Sequence, residues 1–109
     1  MPWDRLPTAM WVSATIRRLS VDAVPAMVVH KGEVESGTLV VKLNLLDGTV
    51  KVLTESRGMA GELGWMAPLG EDPMPEDKAD AYLSRSVERD PDIWVVEIED
   101  RKGENPFAD

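Results

Sequence analysis

Three carboxylates close the stretch DPDIWVVEIED at residues 90 to 100, and Glu97 and Glu99 among them have the spacing of neighbours on one face of a strand. Their Cα atoms would stand roughly 6.6 Å apart, near enough to bracket a ligand or to join the shell of a hard cation. Calcium or magnesium needs further oxygens converging on the same point, and no such donors accompany this pair. Exposed acids on a strand are more economically explained by cross-strand lysines, and Lys42 and Lys51 are the candidates if this strand lies beside the central hairpin. The single histidine, His30, is in phase with Ala26 and Val28 and has no serine elbow or acid motif to complete a triad. Gly58, Gly61 and Gly64 match neither common phosphate-binding pattern, and no helix start follows them. Arg17 and Arg18 are adjacent, so on a helix they diverge by about 100° and cannot form one clamp. We therefore assign no catalytic residue, no metal and no cofactor, and lean away from an enzyme.

These residues must be positioned by one small fold. The chain has 109 residues, 43% hydrophobic and 29% charged, which fits a single domain. It has no cysteine, so disulfides and thiolate chemistry are excluded and a reducing, cytoplasmic setting is expected. No apolar run approaches the roughly 20 residues needed to cross a bilayer, and no membrane partner is expected. The net charge of −8, with the acids concentrated in the second half, argues against binding a phosphate backbone, so nucleic acid is not an expected partner.

Val12, Ile16 and Leu19 recur at helical spacing within Thr8 to Asp22, with Thr8 as N-cap and Pro25 as a stop. Three β-rich runs follow: PAMVVHK, TLVVKLNLL and TVKVLT. Asp47-Gly48 between the last two predicts a two-residue type I′ hairpin. That register pairs Leu43 with Val52 and puts Leu39, Val41, Leu43, Leu45, Val50 and Val52 on one face. Val40, Leu46 and Leu53 then share the other face with Lys42 and Lys51. Residues 55 to 75, rich in Gly and Pro, predict a turning, mobile region with a short strand near Trp65. A second helix starts at Pro75, with Ala79, Tyr82, Leu83 and Val87 as its apolar stripe, and ends at Asp90-Pro91. A last strand sends Trp94, Val96 and Ile98 to the core and Ile93 and Val95 to the face of the acids.

The segments WVSATIRR (11 to 18), GTLVVKLNLLDGT (37 to 49), PEDKADAYLSR (75 to 85) and DPDIWVVEIEDRKG (90 to 103) together resemble the alphaproteobacterial family known as domain of unknown function 1491. The resemblance covers most of the chain and implies a single cytoplasmic α+β domain. It carries no activity or catalytic residue with it.

The expected architecture is α+β: a helix, a three-stranded antiparallel meander, a Gly/Pro-rich loop with a short strand, a second helix, and a final strand in the same sheet. Both helices are expected on the Leu39 face, with an N-terminal lead and a C-terminal tail from about residue 103 left flexible. The mixed face would then expose Val40, Leu46, Leu53, Ile93 and Val95. With Trp65 these are the interface candidates for a protein partner or for a second copy in a homodimer. The alternative is a ligand pocket between the Gly-rich loop and the second helix, where Trp65 packs on a ligand and Arg85 or Arg89 holds an anionic group.

Overall fold

The structure is a computed structural model and describes residues 6–108. The expected N-terminal lead lies almost wholly outside the described residues. Among the described residues, two helices, α1 (Thr8–Val21) and α2 (Glu76–Arg89), accompany six strands. These are β1 (Ala26–His30), β2 (Leu39–Asn44), β3 (Thr49–Arg57), β4 (Leu63–Met66), β5 (Met74–Pro75) and β6 (Trp94–Glu99). The strands form one mixed sheet in the order β1-β6-β2-β3-β4, with β5 pairing a further part of β3.

The α+β class and the order of elements are as the sequence predicts, but the first three strands are not a simple meander. β6 inserts between β1 and β2, antiparallel to the first and parallel to the second. Its sequence explains the central place: Trp94, Val95, Val96 and Ile98 are all buried, and a strand apolar on both faces belongs inside a sheet covered on both sides.

Both sides are indeed covered. Val12 and Leu19 of α1 pack on Leu39, Val41, Leu43, Trp94, Val96 and Ile98. Ala79 and Leu83 of α2, with Tyr82, pack on the opposite face, against Val40, Val50, Val52, Ile93 and Val95. Complete burial of each such aliphatic side chain contributes about 1.5–3 kcal/mol. The expectation that both helices share the Leu39 face is corrected here, and the cause is a slip of one residue in the hairpin. Leu43 faces Lys51 and Lys42 faces Val52, because Leu45 to Gly48 together form the turn. The amide of Leu45 donates to the Thr49 carbonyl (3.1 Å), and Leu46 as well as Gly48 has positive φ. Since side chains alternate, one residue of slip moves Val50 and Val52 to the α2 face and Lys51 and Leu53 to the α1 face.

Thr8 does not cap α1 as predicted; Pro7 holds the N-cap position and no side chain caps the helix. The loop between β1 and β2 supplies the acceptors instead. The amides of Thr8 and Ala9 donate to the carbonyls of Glu35 and Val34, and the Thr8 hydroxyl donates to the Gly37 carbonyl (2.8 Å). The Glu33 carboxylate holds that loop in shape by accepting from the amides of Glu35 and Ser36 and the Ser36 hydroxyl. Those bonds lower the pKa of Glu33 below its usual value.

The far end of α1 closes as a Schellman motif, with the Ala23 amide donating to Ser20 and the Val24 amide to Leu19. Ala23 occupies the left-handed position (φ 60°) where glycine is favoured. Ala23→Gly is therefore expected to stabilise the protein by about 0.5–1 kcal/mol, read by urea denaturation. Equal or lower stability would show that the Ala23 methyl compensates for the strained φ.

The stretch after Gly103, read from the sequence as a flexible tail, folds back onto α1. Phe107 is buried edge-on against Trp11 (ring centroids 5.4 Å), and the Arg18 guanidinium donates to the Pro106 carbonyl.

Candidate interaction surface

β1 lies at one border of the sheet, and its outer edge has no partner strand among the described residues. Three consecutive apolar side chains on it are open to solvent: Met27 (60% exposed), Val28 (41%) and Val29 (54%). The backbone polarity of this edge follows from its inner pairing. The Pro25 carbonyl accepts from the Glu99 amide at 3.0 Å, so Pro25 and Glu99 are opposite one another in a hydrogen-bonded pair, as are Met27 and Glu97 two residues on. Ala26 and Val28 fall between, with N–H and C=O directed outward.

A β-bulge follows: Val28 is opposite Val96 but His30 is opposite Val95. The extra residue, Val29, puts His30 on the α2 face instead of the Ala26 and Val28 face that strict alternation predicts. There the His30 Nδ1 lies 2.9 Å from the Ile93 carbonyl, an acceptor, so Nδ1 carries a hydrogen and the ring is held by that bond.

Beside the bulge, a cleft of about 520 Å³ opens between β1 and α2, lined by Val29, Leu83, Val87 and Val95 with His30, Lys42, Asp80 and Glu88. Lys42 is the one buried cation among the described residues, its side chain only 6% exposed. Its ammonium donates to Glu76 and Asp80, both at 2.7 Å, and lies 3.5 Å from Glu97. Burial alone would lower its pKa, but the hydrogen bonds to Asp80 and Glu76 and the charges of Glu97 and Asp80 outweigh this and hold it well above normal. The parallel register places Lys42 opposite Glu97, so the expected cross-strand pairing is present for this lysine. Lys51 is on the other face.

The remaining sequence candidates are dispersed. Val40, Ile93 and Val95 are buried under α2 and leave no open mixed face. Leu46 is exposed in the hairpin turn. Leu53 and Trp65 pack against the α1 layer, where Trp65 lies 6.2 Å from Trp11. Its indole nitrogen is buried without a hydrogen-bond partner among the described residues. Arg85 and Arg89 are exposed on α2 and do not line its cleft with β1. Glu97 also accepts from the Asn44 amide nitrogen (3.0 Å), and Glu99 borders a recess of about 170 Å³ with Pro25, Ala26, Met27 and Glu97. Gly58 and Gly61 belong to the turn joining β3 and β4, and Gly64 lies in β4. Among the described residues, no group of three or more acids and histidines has the geometry to hold a metal ion, and no helix is long and apolar enough to cross a membrane.

The open edge of β1 was hidden from sequence reasoning because a short β-rich run such as AMVVH does not say which strands flank it. The clue is the adjacent Pro25, since proline is tolerated at sheet borders.

These features define a small α+β domain with a mixed sheet sandwiched between two helices and one apolar border open. The chain belongs to the family described as protein of unknown function (DUF1491), whose model matches residues 6–108. It is similar to a DUF1491 family protein from Caulobacter crescentus CB15 seen in a crystal structure, at 40% identity over 94% of each chain with a TM-score of 0.80. An NMR structure of a DUF1491 family protein from the same bacterium gives 39% identity over 95% of this chain and 94% of that one, also with a TM-score of 0.80. A solution structure from A. tumefaciens gives 31% identity over 88% and 86%, with a TM-score of 0.72. No curated protein matches the chain.

Proposed function

We propose that the protein is a single-domain, non-enzymatic interaction module of the cytoplasm that takes up an extended protein segment along β1 by strand addition. The observation that carries this reading is the run of exposed Met27, Val28 and Val29 on an edge whose Ala26 and Val28 amides and carbonyls point outward. An added strand would satisfy those groups while its side chains cover the valines. The cleft beside Val29 then offers an apolar seat for a side chain of the added segment. The absence of cysteine supports the compartment.

A photo-crosslinking residue at position 27 should join the protein to a partner through an extended segment, whereas the same residue at Lys78, exposed on α2, should not. Val28→Pro, which removes an outward N–H but no bond to β6, should abolish the adduct. Equal crosslinking at both positions, or indifference to Val28→Pro, would sink the reading.

The second reading is a small-molecule site in the cleft between β1 and α2, favoured by the His30 ring, held by its bond to the Ile93 carbonyl, above an apolar floor. It expects a metabolite that raises Tm in the native chain and not in His30→Phe. A screen in which both respond alike would dismiss it.

A further inference from the structure

We infer that the segment added to β1 is β1 of a second copy, giving a two-fold dimer in which the sheet runs on from one chain into the other with Met27 on the axis. This rests on the strand-addition reading above and specifies its partner. The register follows from the outward groups. Ala26 and Val28 are the positions before the bulge whose N–H and C=O point outward with no partner strand among the described residues, so an antiparallel copy satisfies both when Ala26 of each chain is opposite Val28 of the other. Each such pair exchanges two N–H···O=C bonds, and Met27 meets Met27 as the non-hydrogen-bonded pair between them.

Side chains and charges suit the same register. It places Val29 of one copy opposite Pro25 of the other, at the recess of about 170 Å³ that Pro25 shares with Met27. In a chain of net charge −8, the segment from Ala23 to Gly32 contains no acid. Lys31 follows the strand and Asp22 precedes it, so antiparallel pairing brings the basic end of each copy toward the acidic end of the other. The opposite border of the sheet offers no equivalent: β4 has four residues, Leu63 and Trp65 are partly covered, and only Met66 is open. A short edge makes a small interface, so the dimer is expected to be weak and concentration-dependent.

The chain has no cysteine, so a single introduced thiol reports its own neighbourhood. Opposed non-hydrogen-bonded residues have Cα atoms about 4.5 Å apart, within the range a disulfide spans, whereas Ala26 lies diagonal to its own copy at roughly 7–8 Å. Under mild oxidation at high protein concentration, full-length Met27→Cys should form a disulfide dimer and Ala26→Cys should stay largely monomeric, both with the native circular dichroism spectrum. The unmodified chain should rise toward twice its mass in sedimentation as concentration increases, and Val28→Pro should lose that rise. Crosslinking of Ala26→Cys as readily as Met27→Cys would overturn the register and the proposal. So would a chain that stays monomeric with Met27→Cys unlinked; foreign adducts at position 27 would then leave strand addition standing, and their absence would remove both readings.

Discussion

Lys42→Met is expected to destabilise the protein by about 2–3 kcal/mol, although methionine fills nearly the same space. The ammonium is the only cation among the described residues that meets Glu76, Asp80 and Glu97, all within 3.5 Å of it. Without it three carboxylates converge on the α2 face of the sheet with Asn44 as the remaining side-chain donor to Glu97. Loss of one partner from a fully buried pair costs more than this, but Glu76 and Asp80 are 41% and 53% exposed and can turn to water. The pH dependence separates the explanation from simple loss of packing. In the native protein the Lys42 pKa is raised above its ordinary 10.5, so its stabilisation is complete below that pH and lost only as pH rises through the higher folded value. The deficit of the variant should therefore be steady through neutral and mildly alkaline pH. Urea titrations from pH 6 to pH 9 test this; no deficit at neutral pH, or one that fades before the pH approaches 10.5, would contradict the charge account.

The same lysine shows why part of the fold was legible in the sequence and part was not. Helical spacing of Val12, Ile16 and Leu19 identified the helix and the face it covers, because period and burial are local facts. The alternation of Trp94, Val96 and Ile98 likewise named the side of β6 that packs under α1, but not that Ile93 and Val95 enter a second core. Asp47-Gly48 correctly marked a turn, but a dipeptide does not fix how many residues precede it in the loop. Asn44 and Leu46 decided that locally: the Leu46 amide donates to the Asn44 side chain while Leu46 itself takes positive φ. A leucine in that conformation is not foreseeable from propensity. The slip sent Val50 and Val52 across the sheet and created the second core that α2 fills, so the expected open face vanished. Strand order was also out of reach, because β6 reaches its place between β1 and β2 by contacts distant in sequence. The exposed edge that now carries the functional reading is a consequence of that order.

Gly32→Ala is expected to be among the most damaging small substitutions, costing about 3 kcal/mol and loosening β1 as it does so. A Cβ at this position would stand 2.2 Å from the Asp92 carbonyl oxygen and 2.4 Å from that of Ile93, both backbone atoms at the entry to β6. Neither can rotate away, so the loop between β1 and β2 must lift off the sheet. That loop supplies the Glu33 amide bound to the Asp92 carbonyl at 2.9 Å and the Glu33 carbonyl that accepts from the Trp94 indole at 2.7 Å. Lifting it also draws His30 from the Ile93 carbonyl. Gly48→Ala is the internal control: a Cβ there meets nothing within 4 Å, and only its φ of +89° resists substitution, so its cost should be nearer 1 kcal/mol. Urea denaturation ranks the two. A Gly32→Ala protein as stable as Gly48→Ala would refute the close approach as the reason for glycine. Because the displaced loop is continuous with His30, Gly32→Ala should also reduce disulfide formation by Met27→Cys, whereas Gly48→Ala, in the turn joining β2 and β3, should leave it unchanged.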